Sequence, residues 1–194
     1  MRRVAHRPEK QVGKTNLAIF AALTTGLALG ALAAGAQEIP KAEAVVKPAA
    51  YVSLAPVPQG AAFEVAVVAE ILPGFHINSN KPLEDYLIAT TLKPELPPGL
   101  RLVETAFPKA KLQKFDFSEN ALAVFDGSVT VRLKLQAAGD APLGAVKIPM
   151  TLRYQACNDR ACLRPVNKPV VAEITVAAAG TKPQVQHPGI FGKR

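Results

Sequence analysis

The chain has 194 residues, 23 Lys and Arg against 15 Asp and Glu, a formal net charge of +8 and two cysteines. This length, less flexible ends, admits one domain with its own core rather than two, and two cysteines are too few for a disulfide-stapled miniprotein. Residues 1–36 hold five Lys/Arg and one Glu and so carry +4 of the +8; the other basic residues are scattered singly, which argues against a nucleic-acid footprint.

Taken in chain order, Arg2, Arg3, Arg7, Lys10 and Lys14 precede an uncharged run from Leu17 to Gly35 that ends in Ala34-Gly35-Ala36. A basic head, an apolar run and a small-x-small end are the layout of an export signal, with cleavage expected after Ala36. The alternative is an uncleaved anchor, since the run approaches the length that crosses a hydrocarbon core of roughly 30 Å. Residues 37–50 then read as a flexible linker, because Pro40 and Pro48 in an Ala- and Val-rich stretch prevent continuous helix.

From residue 51 to 178 the signals are those of strands. Ala62–Ile71 is a strand-length apolar run stopped by Pro73-Gly74, and short β-prone segments follow at 75–78 and 86–92. Further runs lie at 100–106, 121–125, 128–135, 145–156 and 170–177. Val129, Val131, Leu133 and Leu135 alternate with Thr130, Arg132 and Lys134, which gives one buried and one wet face. Pro97-Pro98-Gly99, Asp126-Gly127 and Gly139-Asp140 punctuate the runs. Seven to nine such strands with no amphipathic helix between them predict an all-β, immunoglobulin-like sandwich. Residues 179–194, rich in Gly and Pro, read as a disordered tail. The sequence contains no Gly-rich phosphate loop, and no cofactor is expected.

Cys157 and Cys162 flank a four-residue turn, Asn158-Asp159-Arg160-Ala161, at the end of a strand. Antiparallel neighbours there lie close enough for a disulfide. A structural brace and a redox pair are both open on spacing alone. Closing a loop of about six residues stabilises by only roughly 2 kcal/mol, the low end for a disulfide, which weakens the case for a brace. Arg160 and Arg164 favour a thiolate while Asp159 opposes it. A metal site would have to combine the two thiols with His76 and His187, lacks a second ligand pair and is not expected.

The segment Tyr154-Gln-Ala-Cys157-Asn-Asp-Arg-Ala-Cys162-Leu-Arg-Pro165 resembles the N-terminal periplasmic domain of the thiol:disulfide interchange protein DsbD, in its strand end, short loop, second cysteine and following proline. Pro73-Gly74-Phe75-His76-Ile77-Asn78, Leu96-Pro-Pro-Gly-Leu100 and the stretch 115–127 support the resemblance over residues 50–178. It implies an immunoglobulin-like sandwich whose cysteines exchange electrons with thioredoxin-like proteins, periplasmic disulfide isomerases and cytochrome-maturation thiol proteins. On this resemblance Cys157 and Cys162 are the redox pair, with Cys162 bonding the partner. Phe115 and Phe117 compete for the role of a cap over the pair, and His76 and Asp116 are candidates for proton handling. The family's multi-helix membrane domain and thioredoxin-like domain have no counterpart here, so a separate membrane electron donor is expected.

Overall fold

The computed structural model describes residues 39–192; the expected export signal at 1–36 lies outside the described residues. Alternation along the chain sets the layers. In the strand Ser128–Ala137 every second residue from Val129 is buried, and Arg132 and Lys134 are exposed, as a strand with one face on a core requires. The chain is an all-β, immunoglobulin-like sandwich. Its described residues contain fourteen strands, of which seven have five residues or more.

One sheet runs in the order β1 (Val46–Val52), β4 (Ala62–Ile71), β10 (Ser128–Ala137) and β7 (Leu100–Ala106). The second runs β3 (Val57–Pro58), β13 (Val166–Ala177), β11 (Gly144–Tyr154) and β6 (Thr91–Pro94). Phe63, Val65, Val67, Leu133 and Leu135 from the first sheet meet Ile148, Leu152, Ala172 and Ile174 from the second in one apolar core. Each fully buried aliphatic side chain contributes about 1.5–3 kcal/mol.

A third sheet closes one part of the sandwich: β12 (Ala156–Cys157), β5 (His76–Asn78), β9 (Leu122–Asp126) and β8 (Lys111–Gln113). It is made largely by strands that change sheets. The chain leaves β9 and enters β10 through Gly127, whose φ of 64° is a conformation that side chains disfavour. It leaves β11 and enters β12 through Gln155. Ala156, Ile77 and Phe125 point to the main core, so the residues between them face the other way. That second face is covered by the loops at 79–90 and 114–121, where Leu87, Phe115, Leu122 and Val124 form a separate small apolar cluster.

Three expectations need correction. Residues 37–50 are not simply a linker: Ala42–Ala44 form a 3-10 turn, β1 begins at Val46, and Val45 and Val46 are buried. Pro48 was the misleading signal, because β1 is an edge strand, where a missing N–H breaks no ladder. The stretch 179–194 is not wholly without structure. β14 (Gln184–Val185) pairs with β2 (Leu54–Ala55), and Pro188–Phe191 form a short helix, α1, whose Ile190 carbonyl accepts from Arg132. Finally, residues 86–90 are loop; their apolar residue Leu87 packs on Phe115 in the small cluster instead of entering a sheet.

Candidate functional site

Cys157 and Cys162 are joined by a disulfide with Cα atoms 3.9 Å apart. The hairpin that holds them is built from its own loop. The Asn158 side-chain oxygen accepts from the amides of Arg160 and Ala161, the Asn158 amide donates to the Ala161 carbonyl, and the Leu163 amide donates to Ala156. This is the local turn chemistry that Asn supplies. The two sulfurs sit in different surroundings: Cys157 is fully buried (0%), while Cys162 is exposed.

The two residues before Ala156-Cys157 anchor the hairpin. Tyr154 is buried and its hydroxyl donates to the Ala42 carbonyl at 2.9 Å. Burial pushes its pKa up to about 12, with the Val46 amide opposing and Glu43 adding to the rise. Gln155 sits at the corner between sheets. Its amide nitrogen donates to the Leu163 carbonyl at 3.2 Å, and its oxygen accepts from Asn78 Nδ2 at 3.2 Å and the Ile88 amide at 3.4 Å. One side chain therefore ties the cysteine loop to β5 and to the 79–90 loop. Arg164 is ion-paired with Glu43 at the hairpin's far side, which takes that charge away from the role of thiolate partner.

Across the third sheet, Cys157 is the direct antiparallel partner of His76, and His76 is the direct partner of Asp126. Opposed residues of antiparallel strands project from the same face, so Cys157, His76 and Asp126 form a row on the face turned away from the main core. The 114–121 loop lies over this row. Phe115 is buried (4%) and stacks on the His76 ring with centroids 4.1 Å apart, and Phe117, 39% exposed, stacks outside Phe115 at 5.3 Å. The loop is held by Lys114, which donates to the Ser118 and Glu119 carbonyls, by Ser118 on the Asn120 carbonyl, and by Asn120 on Glu84.

His76 is itself buried (4%), and its Nε2 has no hydrogen-bond partner. Burial lowers its pKa from the ordinary 6.5, against the opposing pull of Asp159 and then Asp126. These two carboxylates, His76 and Gln113 line a groove of about 400 Å³ at the Pro73-Gly74 turn. Asp126 is also ion-paired with Lys111. A larger open groove, about 690 Å³, runs over Lys93, Glu95 and Arg153 on the second sheet and contains neither cysteine.

The structure thus gathers the two cysteines, His76, Phe115 and Phe117 in one place. Asp116, between the two aromatics, is exposed and belongs to the outer side of the loop. His187 is elsewhere, edge-on to Tyr51. Sequence reasoning did not assign Gln155 its corner role or bring Asp126 to His76. Asp126 was legible as part of an Asp-Gly turn, but its pairing with a distant strand has no local signal. No described helix is long and apolar enough to cross a membrane.

No curated protein matches the chain. Among solved structures it is similar to the N-terminal domain of DsbD from Neisseria meningitidis in the reduced form, with 20% identity and a TM-score of 0.43, covering 77% of this chain and 96% of that one. It is also similar to the complex between the DsbD N-terminal and PilB N-terminal domains from Neisseria meningitidis (16% identity, TM-score 0.41, 70% of this chain and 87% of that one). A third similarity is to the N-terminal periplasmic domain of ScsB from Proteus mirabilis (10% identity, TM-score 0.43, 65% of this chain and 44% of that one). The family described as thiol:disulfide interchange protein DsbD, N-terminal, matches residues 42–173, more than half of the sequence and all of the cysteine hairpin. The chain belongs to the family of DsbD N-terminal domains.

Proposed function

We propose that this protein is a periplasmic thiol-disulfide exchange module, a protein-disulfide reductase component that passes electrons through Cys157 and Cys162. The observation that carries the reading is the asymmetry of the pair within a member of this family: Cys162 is exposed and Cys157 fully buried. A partner thiolate attacks Cys162 and forms a mixed disulfide there while Cys157 departs with the electron pair, and the partner's second thiol then frees Cys162 to leave the dithiol. When the pair donates its electrons, Cys162 attacks the partner disulfide and Cys157 is the resolving thiol. Phe115, buried on His76, is the inner part of a cap and Phe117 its exposed outer part.

The partners are thioredoxin-like proteins, with disulfide isomerases and cytochrome-maturation thiol proteins on the receiving side and a membrane reductase as electron donor. Residues 1–36 direct export, by a cleaved signal or as an anchor on the periplasmic side of the inner membrane. The competing reading, a binding domain with a structural disulfide, is disfavoured by the small loop. The bond adds roughly 2 kcal/mol at most to a hairpin already closed by backbone and Asn158 hydrogen bonds.

The test is the reduction potential of the pair together with its rate of exchange with a thioredoxin-like protein, for wild type and Cys162→Ser. Exchange is expected in wild type and absent in the variant. A potential below about −300 mV, the range of structural disulfides, combined with negligible exchange, would overturn the proposal.

A further inference from the structure

A buried polar atom without a partner calls for an explanation, since nearly all such atoms in folded proteins are hydrogen-bonded. His76 Nε2 is one. It lies on a ring clamped between the sheet and Phe115, on the same face as the adjacent Cys157 side chain. In the disulfide form the Cys157 sulfur has no proton to offer. In the dithiol form it has one, and the buried thiol has no exposure through which water could take it.

We propose that His76 is the general base of the resolving step, its Nε2 taking the proton of the Cys157 thiol so that the thiolate can attack Cys162. This rests on the exchange reading above. In the electron-donating direction the Cys162 thiolate attacks a partner disulfide. The partner S–S bond breaks and its displaced sulfur leaves with the electron pair and takes a proton from water. His76 then accepts the Cys157 proton, and the Cys157 thiolate attacks Cys162 Sγ. The Cys157–Cys162 bond forms, the Cys162–partner bond breaks, and the second partner sulfur departs as a thiolate. Two electrons pass from the pair to the partner, and the imidazolium returns its proton to the leaving thiolate or to water.

The surrounding charges suit a base. Asp126 on β9 and Asp159 on the cysteine loop both stabilise the imidazolium once formed, with Lys111 on β8 moderating Asp126. From the cap loop Phe115 stacks on the ring, Asp116 and Glu119 are exposed, and Lys114 is engaged by the carbonyls of Ser118 and Glu119. Burial holds the resting ring neutral, the state in which a base is ready. The step also explains why a histidine rather than an aromatic hydrocarbon underlies Phe115.

The experiment mixes the reduced protein with the chromogenic disulfide dithionitrobenzoate, which releases one coloured thiolate on attack by Cys162 and a second on resolution by Cys157. Cys157→Ser, giving the first phase alone, assigns the phases. In His76→Gln the second phase is expected to slow by about 100-fold at neutral pH, within the range for a general base, and to climb with pH as the thiol ionises unaided. The first phase keeps its rate. An unchanged second phase and pH profile would sink the proposal.

A second measurement needs no variant. The His76 ring resonances of the wild-type protein are expected to titrate with different midpoints in the disulfide and dithiol forms, and identical midpoints would overturn the assignment. Failure of exchange with a thioredoxin-like protein, with both dithionitrobenzoate phases normal, would count against the broader function and leave the role of His76 standing.

Discussion

His76 carries its consequences into stability as well as chemistry. Its pKa is lowered in the folded state by burial, with Asp159 and Asp126 opposing, so below the ordinary value of 6.5 the unfolded chain binds more protons than the folded one. The contribution of the neutral ring is fully present above 6.5 and is lost as pH falls through 6.5 towards the lowered value. Thermal melts of wild type from neutral to mildly acid pH should therefore show a fall in melting temperature over that window. His76→Gln, which has no such proton to bind, should lack that component. Parallel pH profiles for the two proteins would mean that the ring is not the group responsible. The histidine was visible in the sequence as a proton-handling candidate. Its neighbours were not, because Cys157 and Asp126 reach it only through pairing between strands far apart along the chain.

At the scale of elements, the corner at Gln155 decides where the cysteines go. β11 ends in the second sheet at Tyr154 and β12 starts in the third sheet at Ala156, and Gln155 is bonded to the Leu163 carbonyl, Asn78 and the Ile88 amide. Gln155→Ala leaves these groups without that partner, which should cost about 1–3 kcal/mol. Amide exchange at Ile88 and in the 156–163 hairpin should quicken, while the strands β4 and β10 stay protected. A variant whose exchange rises equally everywhere would show that Gln155 supports the whole fold and not this corner. The resemblance of Tyr154-Gln155-Ala156-Cys157 to the family was readable as a motif. The reason for the motif is the turn between sheets: Tyr154 is bound to Ala42 on one side and Gln155 to β5 on the other.

For the whole molecule, the core extends further towards the N-terminus than hydrophobic pattern suggested. Val45 and Val46 are buried at 1% and 0%, Ala42 accepts the Tyr154 hydroxyl, and Lys168 donates to the Glu43 carbonyl. Relative to a chain starting at Ile39, one starting at Lys47 loses two buried valines, about 3 kcal/mol at the lower value for each, and should melt lower by about 6–12 °C for a domain of this size. Equal melting temperatures would place residues 39–46 outside the cooperative unit. The strands at 62–71, 100–106 and 128–135 were plain in the sequence because their apolar residues alternate or run unbroken. β1 was not, because Pro48 and a string of alanines resemble a tether unless the edge position is known.

By itself the sequence determined the all-β sandwich, the cysteine pair at a strand end and its family, because alternation, turn residues and a four-residue spacing are local properties of a chain. Only the tertiary structure decided that Cys157 is buried and Cys162 exposed, that Phe115 rather than Phe117 lies on His76, and that Cys157, His76 and Asp126 stand in one row. Those facts depend on register between strands distant in sequence and on what covers each face, which are set by packing and not by pattern.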